Sequence, residues 1–376
     1  MGWQRQAVPV HYEEFTPRHR GTPAKRRGLS DMADHPLVSV IIVCHNDGKW
    51  LKRCLDSLRQ QSIFDRIELI IADNASGDGS DQVAQALTVD WPNARFFPTG
   101  GDNGFDVACN RAAALARGKY LYLLNPDTWL EPDCLEQFFR TVEGQQAAGA
   151  GGMILEYEDN TIQAKGSHGF DVFGSPVSPR RGADPQPLFC IAGFFFIRRD
   201  VFLALGMLDE RFFMYGEEMD LCWRIWLSGR ELVYAPTARI HHRGAALVNP
   251  AGGARPVENR TSLQKRFLAN RNMLLVIAKN GQHILLATLI PCAALILLEG
   301  LATLALTRSL TITRGSCLKA LTDFWGLRGH VRQERRRIRA LRQRSDFWIL
   351  RFVRFGFGRW GEVAKIGSRG FPKFNR

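Results

Sequence analysis

Runs of apolar residues alternate with segments of helical spacing along the first third of the chain. Residues 38–44 are a β-branched run, and residues 67–72 and 120–124 are further apolar runs of strand length. Between these runs, apolar residues recur at helical spacing after residue 48 and around residues 108–116. Continuous apolar runs are typical of strands buried on both faces. The alternation therefore predicts an α/β fold with a mostly parallel sheet covered by helices.

A polar loop follows each of these predicted strands. The loops carry, in chain order, His45, Asn46 and Asp47, then Asp73 and Asn74, and finally Asn125, Pro126 and Asp127. The strand before Asp127 stops at Pro126, because proline cannot continue a strand ladder. Parallel strands deliver the loops at their carboxyl ends to one edge of the sheet, where open α/β sheets bind ligands. This arrangement is typical of a nucleotide site.

The usual phosphate-binding signatures are missing from the sequence. No GxGxxG follows the first strand and no GxxxxGK[ST] occurs, which disfavours a dinucleotide dehydrogenase and a P-loop nucleotidase. A divalent cation held by the Asp127 carboxylate is the natural substitute for a phosphate-binding lysine, because hard cations bind oxygen ligands and bridge to phosphates. An aspartate that merely begins a turn is the alternative interpretation.

Further features lie between residues 191 and 244. Residues 191–197 are predicted to form a strand that passes through a close-packed glycine, Gly193, and residues 232–234 and 238–240 are predicted to form two more strands. Three carboxylates, Glu217, Glu218 and Asp220, fall in the first turn of a predicted helix that runs to Leu227. Acids at a helix start compensate the helix dipole, but the apolar aromatic stretch before them favours a raised carboxylate pKa. His241 and His242 follow a strand, either as structural residues or within reach of a metal.

Composition points to a reducing compartment and to a basic C-terminal region. Eight cysteines occur without a CxxC pair, so neither a disulfide framework nor a zinc site is expected. Residues 307–376 carry 18 lysines and arginines against four acids, a net charge of +14, whereas the whole chain has +13. Residues 284–306 are almost wholly apolar, interrupted by Pro291, Glu299 and Gly300. A basic tail beside an apolar segment favours an anionic membrane surface as partner.

How the apolar segment meets the membrane stays open at this point. A single span would put the basic tail opposite the catalytic domain, against the positive-inside tendency, so a re-entrant or interfacial arrangement is favoured. Aromatic residues between arginines in residues 347–360 suit an amphipathic helix at headgroups. They could also stack on RNA, but the adjacent apolar segment makes nucleic acid an unexpected partner.

The predicted parts are a disordered leader (1–36), a catalytic domain (37–250) and a helical region (251–376). A chain ending near residue 280 is expected to be soluble.

Seven segments together resemble the family 2 glycosyltransferases with a GT-A fold, especially the bacterial rhamnosyltransferase-like branch. They follow the family's order through residues 37–250 and comprise residues 38–46, 71–76, 102–105 with Asn110, 125–128, 193–197, 217–224 and 241–244. The resemblance implies an inverting transferase that moves a sugar from a nucleotide-diphosphate donor to a lipid-linked or polysaccharide acceptor. It also implies Mg²⁺ or Mn²⁺ as cofactor and a place on the cytoplasmic face of the cell membrane of a bacterium.

The resemblance also assigns roles to single residues. The residues implied to bind the nucleotide or the donor sugar are Val43, His45, Asn46, Asp73, Asn74, Asn103 and Asn125. Asp127 would ligate the metal with His241 as second ligand, Glu218 would be the catalytic base, and Asp220 would be its catalytic neighbour. The Asn-Pro-Asp-Thr form of residues 125–128 leans towards a deoxythymidine-diphosphate rhamnose donor.

The chain departs from the family pattern at three places. Asn125 replaces the first acid of an Asp-x-Asp, Ala246 stands where many relatives have serine, and Asp106-Val-Ala follows Phe105. The first departure leaves one strong metal ligand, and the last is expected to reshape the sugar pocket. A catalytically degenerate, membrane-bound binding or scaffold protein on the same fold is therefore the alternative function.

Overall fold

The structure is a computed structural model that describes residues 36–179, 183–244, 260–358 and 373–375. The strands are β1 (Val38–Cys44), β2 (Ile67–Asp73), β3 (Ala94–Pro98), β4 (Tyr120–Leu124), β5 (Thr128–Leu130), β6 (Gly149–Glu156), β7 (Ile162–Ala164), β8 (Gly169–Phe170), β9 (Pro176–Val177), β10 (Phe195–Arg198), β11 (Leu232–His242), β12 (Arg260–Ser262) and β13 (Lys373–Asn375). The helices are α1 (Gly48–Arg59), α2 (Ser80–Thr88), α3 (Phe105–Leu115), α4 (Cys134–Gly144), α5 (Arg199–Ala204), α6 (Glu217–Leu227), α7 (Leu263–Asn280), α8 (His283–Leu286), α9 (Leu289–Thr307), α10 (Leu310–Thr313), α11 (Lys319–Gly326), α12 (Arg328–Leu341) and α13 (Asp346–Ile349). Residues 1–35 of the predicted leader, Ala246 and Trp360 lie outside the described residues.

The first four strands form the parallel half of the main sheet. They lie side by side in the order β3, β2, β1, β4, and every neighbouring pair is parallel. All residues of β1 and β2 are buried, as expected for strands covered by helices on both faces. In this register Cys44 pairs with Asp73, so the loops after β1 and β2 begin at the same edge. The prediction of a parallel sheet with polar loops at one edge is confirmed for these strands.

The second half of the sheet is mixed, in the order β10, β6, β11, β5. Strand β10 runs antiparallel to both β4 and β6. It begins at Phe195 rather than at residue 191, because Gly193 takes a left-handed conformation with φ of +75°. No atom lies within 4 Å of the position a Cβ would occupy at Gly193. The prediction of a close-packed glycine is therefore wrong, and what this position requires is a backbone conformation that glycine adopts without strain.

The two predicted strands at 232–234 and 238–240 are one strand, β11. It pairs in parallel with β6, and the register shifts between Ala235 and Arg239. Such an irregularity bends a strand and redirects the side chains that follow it. Strand β11 then continues to His242 and pairs antiparallel with β5, where His241 lies opposite Trp129. The end of β11 is thereby brought next to the loop that carries Asp127.

A close approach at Gly104 places the segment before α6. Gly104 has φ of +87°, and a Cβ there would lie 2.5 Å from Cδ2 of Phe213. The next residue, Phe105, donates its backbone N–H to the carbonyl oxygen of Phe213 at 2.7 Å. Only glycine leaves room for this contact, since any side chain would displace the Phe213 ring. The start of α3 and the segment leading to Glu217 are held together in this way.

The C-terminal region packs into the same body as the sheet. Leu275 and Val276 of α7 belong to one buried cluster with Trp223 and Trp226 of α6. The predicted boundary at residue 250 therefore does not divide a complete catalytic unit from a separate helical region. Helix α7 is part of the core on which the carboxylates of α6 rest.

The predicted amphipathic tail is partly wrong. Phe352 is fully buried, and its ring centroid lies 4.8 Å from those of both Phe189 and Trp226. Trp348 also packs on Trp226, at 5.7 Å. These aromatic residues were expected at lipid headgroups, but they fill a hydrophobic core that the catalytic domain would otherwise expose. A chain ending near residue 280 would lose this packing and expose Phe189 and Trp226, and its solubility stays a prediction.

Helix α9 is different, because much of its apolar surface is exposed. Residues His283–Thr307 are the one stretch in the described part of the chain that is long and apolar enough to cross a membrane. Leu298 and Leu301 are more than 60% exposed, whereas Cys292 and Ile296 are buried. The predicted apolar segment is thus present as a helix, packed on one side only.

Replacing Phe352 with alanine tests whether the tail belongs to the core. Phe352→Ala should lower the free energy of unfolding by about 3–5 kcal/mol, the usual cost of removing a buried aromatic ring. Phe347, only five residues away and 72% exposed, provides the matched control, and Phe347→Ala should change stability by less than about 0.5 kcal/mol. Urea denaturation of the full chain measures both. Equally small changes in unfolding free energy in the two variants would mean that Phe352 lies at the surface rather than in the core.

Candidate functional site

A cavity of about 500 Å³ opens at the edge of the sheet where β1, β2 and β4 end. Six of the predicted site residues line it, namely Val43, His45, Asn74, Asn125, Asp127 and Glu218. The further lining residues are Asp47, Asp102, Phe105, Pro126, Gly193, Phe213, Met214, Tyr215, Glu217, His242, Ser262, Gln264, Lys265 and Leu268. The polar loops predicted to converge therefore do so, and they meet the start of α6 and the start of α7.

The loop after β1 is held to the loop after β2 by hydrogen bonds. The Nδ1 atom of His45 lies 2.7 Å from the carbonyl oxygen of Asn74. Asn46, at φ of +60°, faces away from the cavity and binds the neighbouring loop: its N–H donates to Ser76 Oγ and its Oδ1 accepts from Gly77 N–H. Asn46 therefore shapes the loop, while His45 reaches the cavity itself.

The side chain of Asn74 joins the loop after β2 to residues 99–103 by hydrogen bonds. Its Nδ2 donates to Asp102 Oδ1 at 3.0 Å, and its Oδ1 accepts from Thr99 Oγ1 and from the N–H of Asn103. The side chain of Asn103 donates to the carbonyl oxygens of Thr99 and Gly101, so this predicted donor-binding residue stabilises the loop rather than lining the cavity.

Asp73 ends β2 just behind the cavity wall. It is 6% exposed, and its Oδ2 accepts from Ser76 N–H at 3.2 Å. Its Oδ1 atom is buried and has no hydrogen-bond partner. A buried acceptor without a partner is costly unless a ligand supplies a donor. Asp73 therefore remains a candidate for binding an N–H group of a ligand.

Asp127 lies in the cavity beside a histidine, but not the predicted one. The Nε2 atom of His242 is 3.6 Å from Asp127 Oδ2, and both side chains line the cavity. Burial lowers the pKa of His242, and the Asp127 carboxylate opposes this shift. A neutral imidazole is the form that ligates metals.

The assignment of His241 as a metal ligand is wrong. Its ring stacks on Trp129 at 3.6 Å between centroids, and its Nδ1 lies 3.0 Å from the carbonyl oxygen of Glu156. Neighbouring residues of a strand point to opposite faces, so only one of the two histidines can face the cavity. That histidine is His242.

Asp47, predicted only as a member of the polar loop after β1, is a second carboxylate near Asp127. Burial raises the pKa of Asp47 to about 6, and repulsion from Asp127 adds to the shift. Within the described residues, no group of three or more His, Cys, Asp or Glu side chains converges on one point. Asp127 and His242 nevertheless suit Mg²⁺ or Mn²⁺, because such ions are commonly held by one or two protein ligands together with substrate phosphates.

Glu217 and Glu218 present two carboxyl groups at the start of α6. Burial raises the pKa of both groups, and the nearby Glu218 and Asp106 carboxylates raise that of Glu217 further. A hydrogen bond between the two side chains lowers the pKa of Glu218 against this trend. Glu217 therefore holds the proton while Glu218 ionises first, as in other carboxyl pairs whose environments separate their roles.

Asp106 lies behind this pair and does not line the cavity. It is fully buried, neither of its carboxyl oxygens has a hydrogen-bond partner, and burial raises its pKa well above the ordinary value. Phe105 lines the cavity at this place and residues 106–108 do not, so the expected effect of these residues on the sugar pocket stays a prediction. Asp106 lies close enough to the glutamate pair for its carboxyl group to raise the pKa of Glu217.

Asp220 is not in the cavity, so its assignment as a catalytic residue is wrong. It is fully buried and accepts hydrogen bonds from Arg224 Nε at 2.9 Å and Asn280 Nδ2 at 2.8 Å, with Lys279 Nζ at 3.0 Å. Burial alone would raise the pKa of Asp220, but Arg224 and Lys279 lower it. Asp220 is thus the anionic centre of a buried network that joins α6 to α7.

Residues of α7 contribute to the cavity without any signal in the sequence. Ser262 caps α7 by accepting from Lys265 N–H at 3.0 Å, and Lys265 Nζ lies 5.6 Å from the centre of the Tyr215 ring. The sequence carries no motif here, and residues 245–259 separate α7 from the last recognisable segment.

Comparison with known proteins agrees with the geometry. The family described as "Glycosyl transferase family 2" matches residues 39–206. The N-acetylglucosaminyl-diphospho-decaprenol L-rhamnosyltransferase of Mycobacterium tuberculosis (strain ATCC 25618 / H37Rv) is 27% identical over 239 residues, which are 56% of this chain and 76% of that protein. Rhamnosyltransferase WbbL of Escherichia coli (strain K12) is 26% identical over 266 residues, which are 63% of this chain and 96% of that protein.

Solved structures show the same fold. Residues 1–349 of TarS from S. aureus, in complex with UDP, superpose with a TM-score of 0.52 at 13% identity, covering 88% of this chain and 92% of that one. GalNAc-T7 with UDP, GalNAc and Mn²⁺ gives a TM-score of 0.52 at 19% identity, covering 65% of this chain and 48% of that one. The predicted GT-A fold is confirmed.

The buried network around Asp220 leads to a prediction about stability. Asp220→Asn removes the charge that balances buried Arg224 and Lys279, so it should lower the free energy of unfolding by about 3–5 kcal/mol. The control is Asp200→Asn. The Asp200 side chain is 70% exposed and pairs with Arg198, so removing its charge should cost less than about 1 kcal/mol. Chemical denaturation measures both changes. A wild-type stability in the Asp220 variant would mean that the network is not structural.

Proposed function

Since this chain carries a family 2 glycosyltransferase domain and is rhamnosyltransferase-like, we propose that it transfers a sugar from a nucleotide-diphosphate donor to an acceptor hydroxyl with inversion. The observation that supports this proposal best is one cavity shared by Asp127, His242 and Glu218. Glycosyl transfer needs a base for the acceptor and positive charge for the leaving diphosphate. The cavity offers residues suited to both needs.

The donor nucleotide fits the loops after β1 and β2. The unpartnered Oδ1 of Asp73 can accept the N3–H group of a uracil or thymine ring, a donor that a pyrimidine of this kind supplies. Val43, His45 and Asn74 would form the walls around the nucleoside, while Asn46 and Asn103 keep the loops in place. The names of the two rhamnosyltransferase relatives favour rhamnose as the sugar, and the Asn-Pro-Asp-Thr form of residues 125–128 favours deoxythymidine diphosphate as the nucleotide.

Asp127 and His242 would hold Mg²⁺ or Mn²⁺ against the diphosphate of the donor. The bound metal would stabilise negative charge on the departing diphosphate. Burial, and then repulsion from Asp127, raise the pKa of Asp47, and positive charge in this corner of the cavity would relieve the repulsion. Asn125 lines the same corner as a neutral hydrogen-bonding group where a second acid would otherwise stand.

Glu218 would act as the base. Its carboxylate takes the proton of the acceptor hydroxyl, the acceptor oxygen forms a bond to the anomeric carbon, and the bond from that carbon to the diphosphate breaks. The nucleoside diphosphate leaves with the bonding electrons. One displacement of this kind inverts the anomeric centre. A raised pKa makes Glu218 a better proton acceptor than an ordinary carboxylate.

The acceptor would be a saccharide linked to a lipid or to a cell-surface polymer, and the name of the mycobacterial relative, an N-acetylglucosaminyl-diphospho-decaprenol L-rhamnosyltransferase, supports the lipid-linked form. The exposed apolar helix α9 supports a place at the membrane, and we assign the cytoplasmic face of a bacterial cell membrane because nucleotide sugars are cytosolic. A catalytically degenerate binding protein on this fold is the second candidate, favoured by Asn125 in place of an acid.

A panel of nucleotide sugars tests the proposed function. Purified protein is incubated with deoxythymidine-, uridine- and guanosine-diphosphate sugars, with Mg²⁺, Mn²⁺ or EDTA, and release of the nucleoside diphosphate is measured. We expect metal-dependent release from deoxythymidine-diphosphate rhamnose above all. Binding without release from every donor would favour the degenerate binding protein.

The two glutamates should differ in their effect on turnover. Glu218→Gln should lower kcat at least about a hundredfold with little change in donor KM, the scale of general-base catalysis. Glu217→Gln replaces a carboxyl group that already holds a proton by an amide of the same shape, so its kcat should fall by less than about tenfold. If Glu217→Gln were the more damaging variant, the base would be assigned to the wrong glutamate.

The two histidines should differ in metal dependence. His242→Ala should raise the Mn²⁺ concentration needed for half-maximal activity by about 10–100-fold, the scale of losing a group at a metal site. His241→Ala, which removes a ring stacked on Trp129, is the matched control and should leave this concentration unchanged. Titration of donor hydrolysis with Mn²⁺ measures both. A shift in the His241 variant alone would restore the original assignment of the ligand.

A further inference from the structure

We propose that the exposed face of α9 is a docking surface for an anionic bilayer. In this arrangement α9 lies in the plane of the membrane rather than across it, and the mouth of the catalytic cavity is held at the lipid surface. The part concerning the acceptor rests on the proposed function, whereas the docking itself does not.

The first step is the distribution of side chains around α9. Its buried residues, Cys292, Ile296, Gly300 and Thr303, recur at helical spacing and are mostly small. Its exposed residues are larger and apolar: Ile290, Leu297, Leu298, Leu301 and Leu306 are between 47% and 75% exposed. This is the reverse of a helix on a water-soluble surface, where the apolar stripe faces inward. A face of this kind requires an apolar partner.

The second step concerns orientation. The chain before α9 and the chain after it belong to the same body: Val276 of α7 and Phe352 lie in one buried cluster. A single span would need these flanks on opposite sides of the membrane. The inner face of α9 also packs against Leu274 and Ile277 of α7 and against Cys317, so it is covered by protein along much of its length. Helix α9 can therefore enter the bilayer only sideways.

The third step is the polar border of the apolar face. Arg308 follows α9 directly, Arg314 follows the short helix α10, and both are exposed. Trp325, 69% exposed at the end of α11, belongs to the same C-terminal region. Leucines flanked by arginines and tryptophan are typical of helices that lie at the headgroup layer of anionic membranes. The partner that fits this chemistry is a lipid surface.

The fourth step connects the docking surface with the cavity. Gln264 and Lys265, in the first turn of α7, line the cavity. The next residue, Arg266, forms an ion pair with Glu299 of α9 at 3.1 Å. The first turn of α7 therefore lies between the cavity and the membrane-facing helix. A saccharide anchored in the bilayer by a lipid can reach this cavity without leaving the membrane surface.

Vesicle binding of the full chain tests the docking surface. The double variant Leu298→Glu/Leu301→Glu should bind vesicles of phosphatidylcholine and phosphatidylglycerol at least about tenfold more weakly than wild type, since two leucines are lost from the buried area. The matched control is Val89→Glu/Val172→Glu, which charges two exposed valines outside the C-terminal region and should bind like wild type. Equal binding by both double variants would overturn the proposal.

Size-exclusion chromatography without lipid separates a bilayer from a second copy of the chain. Wild type and the Leu298/Leu301 variant should elute as the same species in mild detergent. If wild type is a dimer that this variant converts to a monomer, while vesicle binding stays the same, α9 docks on another copy and the proposal is wrong.

Labelling of inside-out membrane vesicles tests the orientation of α9. All eight native cysteines are buried, so a cysteine introduced at an exposed place can be labelled selectively. Lys52→Cys on α1 precedes α9, and Arg332→Cys on α12 follows it; both positions are exposed. A maleimide that cannot cross membranes should label both in unopened vesicles. Labelling of Lys52→Cys with protection of Arg332→Cys would show a span and overturn the proposal.

These experiments keep the inference separate from the proposed activity. Vesicle binding and cysteine labelling need no sugar donor, so docking can be supported even if no transfer is found. In turn, the docking variants should keep wild-type hydrolysis of a soluble donor, because none of the changed residues lines the cavity. Loss of donor hydrolysis in all proteins, with docking intact, would count against the proposed function alone.

Discussion

The buried ammonium group of Lys279 is the constraint on which the rest of the structure depends. Lys279 is fully buried and pairs with Asp209 and Asp220, and Arg224 shares Asp220. An unpaired charge in the interior is strongly destabilising, so α6, α7 and the segment before α6 can pack only together. The network thereby fixes the start of α6 and the start of α7 against the same cavity. The predicted catalytic domain (37–250) and the helical region that follows it therefore share one core.

The network also explains why carboxylates on one helix turn have different properties. Asp220 is satisfied by cations and stays ionised, whereas Glu217 and Glu218 are desolvated and face another buried carboxyl group, Asp106. Residues separated by two positions on a helix point to different sides. One side of α6 therefore carries Asp220 in a structural ion pair, and the other carries Glu217 and Glu218, which are suited to proton transfer. The glycosyltransferase proposal uses only the second side.

The sequence was most informative where local pattern and burial coincide. Apolar runs located β1 and β4 to the residue, and the polar loops predicted the edge at which Asp127 lies. The sequence was not sufficient where tertiary contacts determine the position of a side chain. The irregularity in β11 before residue 239 shifts the alternation of side chains, so His241 and His242 cannot be told apart by counting from the start of the strand. The aromatic residues of the tail suit a membrane and a core equally, and only the fold shows that Phe352 lies in the core.

The pH dependence of kcat/KM tests the central claim most directly, because it reports the ionisation of the base in the free enzyme. Glu218 must be deprotonated to accept a proton, and burial raises its pKa above the ordinary value of 4.5. Activity with donor and acceptor should therefore be lost on acidification at a pH clearly above that value, with a slope that corresponds to one proton. An acid limb at or below the ordinary carboxyl pKa would contradict the account, since the base would then be a solvated carboxylate outside this buried pair.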